Sequence, residues 1–276
     1  MLNEVEVFSL VFILVSLFAL IALYKRKRFK QITSQPLSDE YKQLLFARLP
    51  IYKQLSPQLK ADLEHKIVCF LHTKQFIGCD LTITDEIKVT IAAEACLLII
   101  NRSSSCYAQL KWIYVYPSVF IAKQAQRNEY GIVSTKHRHL LGESWANGKV
   151  ILAWDSVESG MANFHDGQNV VLHEFAHQLD QENGNANGAP LLYTKDGYRI
   201  WSQVFSEEFK ALQQSLAEHK TSLIDRYGAT NPAEFFAVVT ELFFECPEQL
   251  AQQHAELFGL LQNYYRLDPR SWTGIE

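Results

Sequence analysis

The longest apolar run comes first. Val7–Tyr24, VFSLVFILVSLFALIALY, carries no charge, whereas Glu4 and Glu6 precede it and Lys25-Arg26-Lys27-Arg28 and Lys30 follow. As a helix it would rise about 27 Å, near the roughly 30 Å hydrocarbon core of a bilayer. A cleavable signal would carry its positive charges before the apolar stretch and small residues after it, and this chain has neither. The pattern predicts an N-terminal transmembrane helix within residues 1–30, with the basic flank on the cytoplasmic side. A polar linker is expected over 31–40. Leu44–Leu71 then alternates with helical spacing and breaks at Ser56-Pro57, which predicts two helices. Residues 84–100, TDEIKVTIAAEACLLII, join a threonine cap and acidic first turn to apolar spacing of three to four, the signature of a core helix. WIYVYP at 112–117 and KVILAW at 149–154 read as strands, the second as a sheet edge beside the helix that follows. Beyond residue 196 the pattern is helical, broken at Tyr227-Gly228 and Pro247. These elements predict an α+β domain over 41–276, mostly helical with a small sheet.

Composition narrows the class. The 276 residues are 48% hydrophobic and 20% charged, with a net charge of −4, so a real core is expected and a nucleic-acid surface is not. The five cysteines, Cys69, Cys79, Cys96, Cys106 and Cys246, form no CxxC pair and sit mostly in apolar runs. Reduced core thiols are expected, with no disulfide framework and no cysteine metal site.

The chemistry concentrates in VVLHEFAHQLD, residues 170–180. On a helix His173 and His177 share one face a turn apart, so both can ligate one ion. Glu174 lies about 100° round from His173, off the metal but within reach of a water beside it. Two ligands and a base on one rigid turn make a zinc hydrolase motif. The same residues could also be two satisfied polar side chains on a partly buried helix. Asp180 stays on the ligand face and could accept the second imidazole proton of His177. His165, ahead of the motif, reads as a loop residue.

A third ligand has to come from elsewhere. Six residues past His177 stands Asn183, which excludes the extended three-histidine pattern. YGATNPAEFFAVVTELFFE, residues 227–245, offers Glu234, Glu241 and Glu245. Asn231 and Pro232 are suited to start a helix there, and Glu234 completes a capping-box arrangement. Glu241 lies two turns on along the same face. Spacing leaves the choice between Glu234 and Glu241 open.

HEFAHQLD followed by NPAEFFAV resembles the bacterial zinc-dependent peptidases of the Mlc titration factor A family. FIGCDLTITDEIKVTIAAEACLLI, YPSVF, GESW and GKVILAWDSV are similar to that family's pattern as well, and the likeness runs from about residue 40 to 266. The motif pair also resembles the catalytic domain of anthrax lethal factor. The resemblance implies a zincin-like fold, one zinc ion held by His173, His177 and Glu234, Glu174 as general base and Tyr227 as an assisting phenol. Some members carry an extra histidine before GxSW; the aligned position here is Ser134, with His137 and His139 nearby. The expected protein is a zinc metallopeptidase acting on a peptide or protein substrate, whose backbone strand 149–154 could hold. It would be tethered through residues 7–24 to the bacterial inner membrane with its catalytic domain in the cytoplasm. The alternative implied by the resemblance is an anti-repressor that sequesters a glucose-responsive transcription repressor.

Overall fold

The computed structural model describes residues 4–102, 106–118, 120–127, 133–140, 142–145 and 148–272, with backbone alone for 4–7, 9–11 and 120–145. Helix α1 (Glu4–Thr33) runs unbroken through the apolar stretch and the basic flank. Among the described residues, no helix is long and apolar enough to cross a membrane. The expected transmembrane helix thus has no support among the described residues. Phe12, Ile13, Leu14 and Val15 follow one another round the helix and all are exposed. The expected linker is shorter than 31–40, because Thr33 is still helical and buried, and the Phe29 ring packs 6.0 Å from that of His72.

Ser38 caps α2 (Asp39–Arg48), which leads into the short α3 (Pro50–Gln54). The expected break at Ser56-Pro57 is the start of α4 (Pro57–Thr73), with Ser56 Oγ accepting from Leu59 N. Strand β1 (Gln75–Gly78) follows, and then Thr84 caps α5 (Asp85–Leu97), whose residues from Val89 onward are all buried. It ends three residues before the expected 100. Strand β2 (Trp112–Tyr116) stops at Pro117 as its sequence predicts. A hairpin follows, β3 (Phe120–Arg127) with β4 (Val133–Leu140), then β5 (Gly142–Trp145) and β6 (Lys149–Ala153). The side chains of Ser134, His137 and His139 on β4 lie outside the described residues.

Order in the main sheet is β1-β2-β6-β5, the first three parallel and β5 antiparallel to β6. Strand β6 is therefore interior, with both backbone edges paired, and the expected edge at 149–154 is corrected. Among the described residues, β5 is the edge strand on that side. Burial along β6 alternates up to Leu152, with Val150 and Leu152 buried on one face and Lys149 and Ile151 half-buried on the other.

Helix α6 (Trp154–Ala162) leads to α7 (Val170–Asp180), which lies against β5 and β6, with α5 and α9 (Pro232–Glu245) on its other sides. Between α7 and α9 runs α8 (Lys195–Ala217), and α10 (Pro247–Gln253) and α11 (Ala255–Tyr265) close the chain. Phe175 on α7 packs edge-on against Tyr107 at 5.0 Å and tilted against Phe70 at 5.6 Å. Burial of such rings fixes the roll of α7 and turns its histidine face outward from the core.

Candidate metal centre

Asn169 starts α7 by accepting from Val171 N and Leu172 N through Oδ1, satisfying two of the free donors of the first turn. Val171, Leu172, Phe175, Ala176 and Leu179 then enter the core. The opposite face carries His173 and His177, each about one-eighth exposed. Helix α9 starts in the same way, with Asn231 Oδ1 accepting from Ala233 N and Glu234 N and Pro232 in the first turn. The cap works without the Glu234 carboxylate, which goes to the histidines instead.

Three donor atoms converge. Glu234 Oε2 stands 3.1 Å from His173 Nε2 and 3.3 Å from His177 Nε2, and the two Nε2 atoms are 3.2 Å apart. Ligands at zinc's usual 2.0–2.1 Å in a tetrahedron are separated by about 3.3–3.4 Å. The triangle is thus close to one face of a zinc tetrahedron, and two imidazoles with a carboxylate are a donor set that fits. Among the described residues, His173, His177 and Glu234 are the group able to hold an ion. The groups also favour each other's charge. Burial opposes ionisation of Glu234, but hydrogen bonds from His173 and His177 outweigh it and hold the carboxyl well below its ordinary range. Burial likewise disfavours a charged His173, yet its bonds to Glu234 and Glu241 raise its pKa.

Glu241 is not at the triangle. Its Oε1 lies 2.8 Å from His173 Nδ1, the far side of the ring, and its Oε2 accepts from Asn169 N. The sequence weighed Glu241 only as a rival ligand; its place two turns after Glu234 was the signal for a partner on the same ring. Asp180 is fully buried, and burial pushes its carboxyl up to about 6. Its Oδ2 accepts from Gly188 N, not from the His177 ring, so the expected imidazole contact is corrected. Gly188 has φ +75°, and a Cβ there would meet Pro232 O at 2.2 Å. Asp180 thereby holds the loop after α7 tight against the start of the helix that carries Glu234.

A cavity of about 530 Å³ adjoins the triangle, lined by His173, Glu174, Tyr227, Asp225, Glu241 and Ser159 among others. Glu174 is buried at its wall. Tyr227 lies in a 3₁₀ turn, Arg226–Ala229, half exposed, its ring centroid 5.9 Å from that of His173. His165 is exposed in the loop before α7, as its sequence context predicts.

A helix bearing two histidines, a carboxylate from a second helix and a cavity with an acid in its wall form a set suited to a metallopeptidase. The chain belongs to the glucose-regulated metallo-peptidase M90 family, whose pattern matches residues 22–266. It is 43% identical over 244 residues to an uncharacterized protein, slr2042, from Synechocystis sp., covering 88% of this chain and 89% of that one. It is 31% identical over 232 residues to Mlc titration factor A of Pectobacterium atrosepticum, covering 81% and 86%. Mlc titration factor A of Serratia proteamaculans is 30% identical over 192 residues, covering 68% and 72%. The family resemblance read from the motifs is borne out.

Proposed function

We propose that residues 41–276 form a zinc-dependent peptidase whose ion is held by His173, His177 and Glu234. The observation that carries this is the donor triangle with edges of 3.1, 3.2 and 3.3 Å. A zinc ion there would supply Lewis-acid polarisation of the scissile carbonyl and acidify the attacking water towards neutrality. Glu174, in the cavity wall, takes the proton of that water and returns it to the leaving amine. Tyr227, which also lines the cavity, donates its hydroxyl to the oxygen on which negative charge develops. A substrate backbone can add to the outer edge of β5, since β6 is paired on both sides. The test is metal analysis of the purified chain, followed by a peptide-library cleavage profile with and without zinc. Less than one bound zinc per two chains, or no cleavage by zinc-loaded protein, would count against the reading.

The name shared by several relatives, Mlc titration factor A, favours a second reading in which the chain also binds a transcription repressor. A chain that captures such a protein but cleaves no peptide supports the second reading over the first.

The exposed apolar stretch of α1 supports attachment to the bacterial inner membrane, with the peptidase facing the cytoplasm. Apolar side chains exposed all round a helix are stable only against apolar surroundings, and Lys25–Arg28 suit anionic headgroups beside them.

A further inference from the structure

Glu241 and Glu245, one turn apart on α9, grip three consecutive backbone N–H groups of the loop that feeds α7. Glu245 Oε2 accepts from Gly167 N at 3.0 Å and Gln168 N at 3.1 Å, and Glu241 Oε2 accepts from Asn169 N. Asn169 is bonded on every side. Its Nδ2 donates to Glu94 Oε1 on α5 at 2.6 Å, its Oδ1 caps α7, and its carbonyl accepts from His173 N at 2.9 Å. One residue thus ties α5, α7 and α9 together directly beneath the histidine pair.

We propose that Glu241 is a positioning residue for His173, held in place by Asn169 and Glu94. Its Oε1 faces His173 Nδ1 at 2.8 Å, so with an ion in the triangle it would accept a hydrogen bond from Nδ1–H and leave the lone pair of Nε2 for that ion. A carboxylate on the outer nitrogen fixes the tautomer, sets the ring angle and strengthens the ligand as a donor. Glu241 cannot double as a ligand, because each of its oxygens already has a donor away from the triangle. Asn169 makes the arrangement stiff, because the same residue sets where α7 begins and where the Glu241 carboxylate sits. Glu245 provides an internal comparison: it staples the same loop but has no bond to His173.

The inference rests on the zinc reading, and the experiment separates the two. Zinc dissociation constants of the full chain are measured by chelator competition, alongside melting temperatures of the metal-stripped protein, for wild type, Glu241→Gln, Glu241→Asp and Glu245→Gln. A glutamine faces two donors with only one acceptor, and an aspartate is one methylene too short to reach His173. Both Glu241 variants should bind zinc roughly 10–100-fold more weakly. Glu245→Gln should stay within about threefold of wild type even where its melting temperature falls, since it leaves the His173 ring untouched. Equal weakening by Glu241→Gln and Glu245→Gln would mean that both only hold the loop, and would overturn the proposal. Unchanged affinity in Glu241→Gln would do the same. If Glu241→Gln does not fold, Glu241→Asp decides on the same comparison. A wild-type chain that binds no zinc sinks the metal reading itself, and this inference with it.

Discussion

Sixty-one residues separate His173 from Glu234 along the chain, yet His173 Nε2 and Glu234 Oε2 meet at 3.1 Å. Two asparagine-capped helices make this possible, because each begins its first turn without using the side chains that face the site.

Base and ligand separate by substitution. Glu174→Gln keeps the shape of the cavity wall but has no basic oxygen, so zinc should remain near one per chain. Hydrolysis should fall roughly 10²–10⁴-fold, the usual weight of a general base. Glu234→Ala removes a corner of the triangle and should lose zinc along with activity. Metal analysis by mass spectrometry beside a peptide assay reads both. Full zinc in Glu234→Ala would move the third ligand elsewhere.

Tyr227→Phe deletes one hydroxyl from a half-exposed ring and leaves its packing beside His173. Zinc content, melting temperature and KM should not change. Loss of one hydrogen bond that strengthens in the transition state costs about 3 kcal/mol, so kcat should drop on the order of a hundredfold. A fully active variant would leave Tyr227 as packing alone.

Stability should depend on pH through Glu94. Burial pushes its carboxyl up from 4.5 to about 8. Between those values the folded chain keeps a proton that the unfolded chain has released. Stability therefore falls as pH rises through that window and levels off above it. The slope is at most about 1.4 kcal/mol per pH unit from this one group. Glu94→Gln supplies a permanently neutral acceptor for Asn169, so urea unfolding at pH 5.5, 7 and 8.5 should show the variant gaining on wild type as pH rises. Parallel curves would show that Glu94 does not titrate in that range.

Attachment through α1 can be read by fractionation. Removing residues 1–24 leaves Phe29 against His72 and Thr33 buried, so the domain should keep its fold. The shortened chain should move from the membrane pellet to the supernatant. Full-length protein that is already in the supernatant rules the attachment out.

The sequence by itself determined most elements and the motif. Its periodicity and capping residues marked α4, α5, β2 and the start of α9, because caps and apolar spacing act within a few residues. Spacing within α7 also set His173, Glu174 and His177, since one helical turn fixes their relation. What lay further apart needed the fold. Spacing left Glu234 and Glu241 equal, and the resemblance favoured Glu234. Only the packing of α9 across α7 shows one carboxylate at the Nε2 triangle and the other behind the ring at Nδ1. Strand β6 looked like an edge because a five-residue run carries no record of its neighbours; pairing with both β2 and β5 is a non-local choice. Asp180 shared a helix face with His177, but its bond went to Gly188, because a loop folded back against Pro232 brought a backbone donor within reach. Glu94 stood as an acid among the apolar later turns of α5. Tertiary structure alone gave it Asn169, the partner that makes burying it tolerable.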